Sequence, residues 1–322
     1  MTGLAYDPEY AKAIAPFANA PRPVLTTALA QRESTDALLT AFLPKPPPSD
    51  TIQQTTYTIR SSDGTELRLR RFATPEHLAS PTPLPAVLGI HGGGFISGNI
   101  DICSGLYAQD ALDADRPVFA VGYRLAPEHP APAGPEDVFA AFTHLVEHAA
   151  ELNIDPARIG VKGESAGAGL AAGVALMARD RGFSPAPAKL VLVYPMLDDR
   201  TTVPADAAFL KLASWSPDAN ALCWGAYLGE DKAGKPDADV SPYASPARAK
   251  SLRGLPSTFI DVGSLDIFRG ESLEFASRLM REDVEVELHV YPGVPHVFDL
   301  LSVGSKLQRK AVELRAVALK SF

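Results

Sequence analysis

From Pro85 onward, short apolar runs alternate with longer stretches whose apolar positions recur at helical spacing. The order read along the chain is a strand from Pro85 to His91, a helix near Ser104 to Ala114, a strand from Pro117 to Tyr123 and a helix from Pro135 to Leu152. A strand from Arg158 to Gly163, a helix from Ala166 to Arg181 and a strand from Lys189 to Tyr194 continue the series. Such alternation predicts an α/β fold with a mostly parallel central sheet flanked by helices. Upstream, Thr51 to Arg60 and Glu66 to Phe72 alternate polar and apolar residues around Ser61-Ser62-Asp63-Gly64, which predicts a hairpin as the antiparallel start of the sheet. Downstream, strand periodicity resumes in Ser257 to Val262, followed by a helix from Phe268 to Arg281, a strand from Val284 to Tyr291 and a last helix near Lys306 to Leu319.

Two segments fall outside this rhythm. Residues 198–255 form a helical, aromatic-rich insert with Phe209, Trp215, Trp224 and Tyr227, which suits either plain packing on the core or a cap lining a pocket. Residues 1–50 carry two short helices, around Pro8 to Phe17 and Ser34 to Phe42, closed by proline-rich turns. This segment reads equally as a packing arm or as part of a cap, ahead of a main domain over residues 51–322.

Composition narrows the function classes. With 322 residues and 46% hydrophobic content, the chain can bury one large core. A net charge of -8 repels phosphate, so nucleic acid is not expected as a partner. Cys103 and Cys223 lie far apart and in no C-x-x-C pattern, which argues against a disulfide framework or a zinc knuckle. The N-terminus lacks a signal-peptide pattern and no stretch approaches the roughly 18 apolar residues of a membrane span, so a cytoplasmic protein is expected. A homodimer is left open.

The chemistry centres on Gly163-Glu164-Ser165-Ala166-Gly167, a G-x-S-x-G motif between a strand and a small-residue helix. A serine hydroxyl is a poor nucleophile, and a strained elbow presents it, with glycines on either side letting neighbouring backbone pass. The helix starting at Ala166 aims its free N–H groups at the serine, where they would stabilise negative charge on a substrate oxygen. Pro85 to Ile90 empties into His91-Gly92-Gly93-Gly94-Phe95, a loop of the type that supplies further oxyanion donors in lipases and esterases. His91 and Ser165 both fall at C-terminal strand ends, where parallel sheets bind ligands.

His91-Gly92-Gly93-Gly94-Phe95, the run Tyr123-Arg124-Leu125-Ala126-Pro127-Glu128-His129-Pro130 and Gly163–Gly167 occur in that order, and together they resemble the hormone-sensitive-lipase-like branch of the α/β-hydrolases from about residue 50 onward. The resemblance implies a serine carboxylesterase with a helical cap, no cofactor, and small-molecule esters of small to medium acyl chains as substrates. It also implies oxyanion donors at the N–H groups of Gly93, Gly94 and Ala166, with His91 and Glu164 supporting the loops. Arg124 and Glu128 are read as ion-pair partners. An amidase or lactonase with the same groups, or a ligand-binding member that has lost catalysis, are the alternatives.

The base is chosen by position. His289 lies on a strand face with Glu285 and Glu287, whereas His296 follows the strand end in Pro292-Gly293-Val294-Pro295-His296, on the rim of the elbow. His296 is also last in the order serine, acid, histidine, and His296-Val297-Phe298 fits the resembled pattern. Asp266, just past the strand that ends near Val262, is the acid, with Asp261 inside the strand as runner-up. Relatives usually follow this aspartate with proline and a second acid, while here Ile267, Phe268, Arg269 and Gly270 precede Glu271.

Three other motifs carry no function. His144-Leu145-Val146-Glu147-His148 spells an inverted zincin pattern, yet the apolar stripe of Val138, Phe142, Leu145 and Ala149 leaves it on a polar face, so no metal is expected. Gly167 to Ala172 spells a dinucleotide fingerprint, but its first glycine is already inside the helix. Cys103 has no local base to activate it.

Overall fold

The computed structural model describes residues 3–17 and 24–322; residues 1, 2 and 18–23 of the expected N-terminal cap segment lie outside it. The strands are Gln53–Arg60 (β1), Glu66–Ala73 (β2), Leu84–Ile90 (β3), Val118–Val121 (β4), Ile154–Glu164 (β5), Lys189–Val193 (β6), Thr258–Gly263 (β7) and Val286–Tyr291 (β8). They join in one sheet in the order β1-β2-β4-β3-β5-β6-β7-β8. The predicted hairpin is β1 with β2, and β2 pairs antiparallel with β4. Every other pairing is parallel, as the helical crossovers require.

Side-chain alternation along each strand builds two cores, one per sheet face. Leu190 and Leu192 of β6 face the helices Ala133–Glu147 and Ala166–Asp180, which contribute Val138, Phe142, Leu170 and Val174. Val191 and Val193 face the helices Ser104–Ala114 and Lys306–Lys320, which contribute Tyr107, Ala111, Ala318 and Leu319. Full burial of a side chain of this size is worth about 1.5–3 kcal/mol relative to exposure. Both faces of the central strands are therefore covered, and function is confined to their ends.

Element ends differ from the sequence expectation in physically readable ways. The helix expected from Pro135 to Leu152 starts at Ala133 and breaks at His148, with a separate turn Ala149–Leu152 ending on left-handed Asn153 (φ 55°). The N-terminal helix expected from Ser34 begins at Ala28, because Thr27 Oγ1 accepts the Ala30 N–H at 3.2 Å and caps it. β8 opens at Val286 rather than Val284, and β4 stops at Val121 rather than Tyr123. Among the described residues no helix is long and apolar enough to cross a membrane.

Candidate active site

β5 ends at Glu164 and the next helix starts at Ala166, so Ser165 alone makes the turn. Its backbone sits at φ 54°, ψ -117°. A non-glycine residue in such a region costs on the order of 1–3 kcal/mol and persists only where its surroundings enforce it. Here the Ser165 N–H donates to Val193 O at 2.9 Å, and its carbonyl accepts from the N–H groups of Ala168, Met196 and Gly169 at 3.0, 3.1 and 3.2 Å. The two glycines of the motif are steric necessities. A Cβ on Gly163 would lie 2.2 Å from Gly167 O, and one on Gly167 would lie 2.2 Å from Ile90 O, where the glycine-rich loop begins.

The structure brings Ser165, His296 and Asp266 together. His296 Nε2 lies 2.9 Å from Ser165 Oγ, and His296 Nδ1 lies 2.7 Å from Asp266 Oδ2. A carboxylate only accepts, so Nδ1 carries the proton and Nε2 is left to accept from the serine hydroxyl. All three side chains are buried. The Asp266-Ile267-Phe268 turn is ordered without the proline that relatives carry. Asp266 Oδ1 accepts the Phe268 N–H at 2.9 Å, and the Asp266 N–H donates to Gly263 O at 3.1 Å. The imidazole is boxed edge-on by Tyr194 and Phe268, with ring centroids 4.7 and 5.0 Å away. Asp261, the runner-up acid, is buried elsewhere and paired with Arg315 at 2.7 Å. His289 pairs with Glu287 at 2.7 Å, away from the serine.

The glycine-rich loop turns sharply at Gly93 (φ 117°), where a Cβ would lie 2.2 Å from Ser97 O. Among the described residues no acceptor is found for the N–H groups of Gly93, Gly94 or Ala166. His91 is stacked on Tyr123 with ring centroids 4.3 Å apart, its Nδ1 is 2.8 Å from Gly92 O, and Tyr123 Oη donates to its carbonyl at 2.9 Å. Burial pushes its pKa down to about 4, so the ring stays neutral. Arg124 and Glu128 do not pair with each other. Arg124 forks onto Asp137 at 2.7 and 2.9 Å and reaches Asp63, while Glu128 takes Arg32 from the N-terminal helix.

That helix, Ala28–Phe42, is tied directly to the loop. Arg32 donates to the carbonyls of Ile96 and Ala126, and Asp36 Oδ1 accepts the Gly98 N–H at 2.7 Å. With Leu38, Leu39 and Phe42 it walls a cavity of about 800 Å³ that reaches Ser165 and His296. Within the 198–255 insert the aromatic residues divide. Trp215 lines the cavity, while Trp224 and Tyr227 pack on Phe95 at centroid distances of 4.9 and 4.0 Å. Ser214 Oγ donates to His296 O at 2.6 Å and ties the insert to the histidine loop.

Lys162 and Asp110, which join Glu164 in the cavity, were not singled out from the sequence. Lys162, three residues before the serine, donates to Asp110 Oδ1 at 2.6 Å and lies 2.8 Å from Glu164 Oε1. Burial pushes Asp110 up to about 6 against the opposing pull of Lys162. For Lys162 burial works downward, yet Asp110 and Glu164 hold its pKa above the usual value. The readable signal was a lysine set between Val161 and Gly163, in the buried half of the strand. Cys103 and Cys223 are buried, and burial raises both thiols. His144 and His148 stack on each other at 4.0 Å, and among the described residues no three His, Cys, Asp or Glu side chains group to hold a metal.

A family model described as alpha/beta hydrolase fold matches residues 87–300. The Mycobacterium tuberculosis protein Esterase LipI is 38% identical over 224 residues, covering 68% of this chain and 67% of its own. Ethyl acetate hydrolase of Pseudomonas putida is 30% identical over 278 residues, covering 86% of this chain and 83% of that protein. Among solved structures, a bacterial heroin esterase superposes with a TM-score of 0.88 at 35% identity, covering 98% of this chain and 97% of that one.

Proposed function

The chain belongs to the α/β-hydrolase fold family, in its hormone-sensitive-lipase-like carboxylesterase branch, and from that premise we propose that it hydrolyses small-molecule carboxylic esters with Ser165, His296 and Asp266 as its catalytic triad. Ser165 Oγ attacks the ester carbonyl while His296 Nε2 takes the hydroxyl proton. Asp266 holds the imidazole in the productive tautomer and stabilises its cationic form. The carbonyl oxygen becomes an oxyanion facing the N–H groups of Gly93, Gly94 and Ala166, which have no acceptor among the described residues and so are free to donate. His296 returns the proton to the leaving alcohol. Water, deprotonated by the same imidazole, then releases the acid from the acyl-enzyme.

The observation that carries this reading is the unbroken chain of contacts from Ser165 through His296 to Asp266, at 2.9 and 2.7 Å, opening into a cavity of about 800 Å³. The helix Ala28–Phe42 and Trp215 act as the cover, and a cavity of this size suits small to medium acyl chains. Ser165→Ala tests it with 4-nitrophenyl acetate and butyrate. The variant loses kcat by about 10⁶-fold, as other serine hydrolases do when the nucleophile is removed. A folded variant with near-normal turnover rules the reading out.

A further inference from the structure

The cavity beside Ser165 is charged along one wall. The helix Ser104–Ala114, β5, the short helix Phe298–Leu301 and the helix Lys306–Lys320 together present four carboxylates, Asp110, Asp113, Glu164 and Asp299, against two cations, Lys162 and Arg315. Both cations are already shared. Lys162 serves Asp110 and Glu164 at once, and Arg315 serves Asp299 together with Asp261, which lies behind the wall. Asp113 meets no cation among the described residues and accepts only from Gln109 Nε2, at 2.8 Å. Glu164 is 93% buried, lines the cavity, and its Oε2 has no hydrogen-bond donor among the described residues. Negative charge therefore exceeds positive charge along this wall, and Asp113 leaves acceptor capacity unmet there. Trp215 and Phe42 add aromatic rings to the same cavity, while the Tyr194 ring already carries the Arg315 guanidinium at 5.5 Å.

We propose that this wall recognises a cationic amine, protonated or quaternary, carried by the ester substrate. Carboxylates supply the countercharge and aromatic rings the cation–π surface, the combination that holds alkylammonium groups in water-poor sites. Asp113 is the group with capacity left for direct contact, and Glu164, whose carboxylate oxygens are closed over, adds its charge from behind. The inference rests on the ester-cleaving reading for its substrate class but not for its binding chemistry.

The test compares isosteres that differ only in charge, at pH 8 so that Asp110, which burial pushes up to about 6, is ionised. Choline and 3,3-dimethylbutan-1-ol are measured as competitive inhibitors of 4-nitrophenyl acetate hydrolysis, and acetylcholine and 3,3-dimethylbutyl acetate as substrates. The cation is preferred about tenfold, as expected for one ion pair with a cation–π contact. That preference drops severalfold in Asp113→Asn, reverses in Asp113→Lys, and weakens as salt rises, with thermal melting verifying that both variants are folded. Equal or tighter binding of the neutral isostere overturns the proposal, as does a preference unchanged in both variants. If the folded protein cleaves no ester at all, the esterase reading fails instead, and calorimetric titration with choline still decides the cation site.

Discussion

Replacing Lys162 by methionine is the sharpest structural perturbation available, because the side chain is 4% exposed and holds two carboxylates at once. Methionine preserves length and fills the space but leaves Asp110 and Glu164 side by side without a countercharge. Removing one partner of a buried ion pair costs about 3–5 kcal/mol, and two stranded acids favour the upper half of that range. For a chain of this length each kcal/mol corresponds to roughly 2 °C, so the melting temperature falls by about 8–10 °C. The pH dependence has a definite sign. Asp110 already titrates near 6 in the folded protein, above its unfolded value, so its contribution to stability is fullest at low pH and is lost as pH rises through about 6. Without Lys162, Asp110 loses the group that favours its ionisation, which enlarges the effect. Urea titrations of both proteins at pH 5 and pH 8 measure it: the deficit of Lys162→Met is about 4 kcal/mol or more at pH 8 and shrinks by at least about 1 kcal/mol at pH 5. A deficit under about 1 kcal/mol at pH 8, or one that grows on acidification, refutes the reasoning.

Two further substitutions probe the catalytic arrangement. Asp266→Asn keeps the shape of the acid but favours the wrong imidazole tautomer, and kcat drops by about 10⁴-fold with KM little changed; steady-state kinetics showing less than a tenfold loss contradict the assigned role. Arg32→Ala removes the donors that tie the N-terminal helix to the carbonyls of Ile96 and Ala126. The glycine-rich loop then loosens, and kcat falls by up to about 10²-fold, since a displacement near 1 Å at the reacting groups is enough for that loss. An unchanged kcat with a raised KM would assign Arg32 to substrate binding instead.

The parts of this molecule that were legible in the sequence are those set by local pattern. The elbow was readable because Gly163, Ser165 and Gly167 must occupy those places for the backbone to pass, and the clashes a Cβ would meet there are the physical counterpart of the motif. The parallel core was readable because its strands are buried on both faces. Long-range charge pairing was not. Arg124 and Glu128 both form ion pairs, as read from the Tyr123–Pro130 run, but with distant partners: Glu128 finds Arg32, 96 residues away, and Arg124 finds Asp137 and Asp63. Lys162 and Asp110 are 52 residues apart and meet only because residues 162 and 164 share the sheet face covered by the helix Ser104–Ala114. Helical spacing likewise placed Trp215, Trp224 and Tyr227 in one insert without telling which of them turns toward the cavity.

Ester cleavage by this chain requires Ser165 to be a nucleophile activated by His296. Incubation with diethyl 4-nitrophenyl phosphate, followed by peptide mass analysis, measures this directly. One diethylphosphoryl group per chain on the peptide carrying Ser165, together with loss of labelling in His296→Ala, is the predicted result. Labelling at another residue, or undiminished labelling of Ser165 without the imidazole, contradicts it.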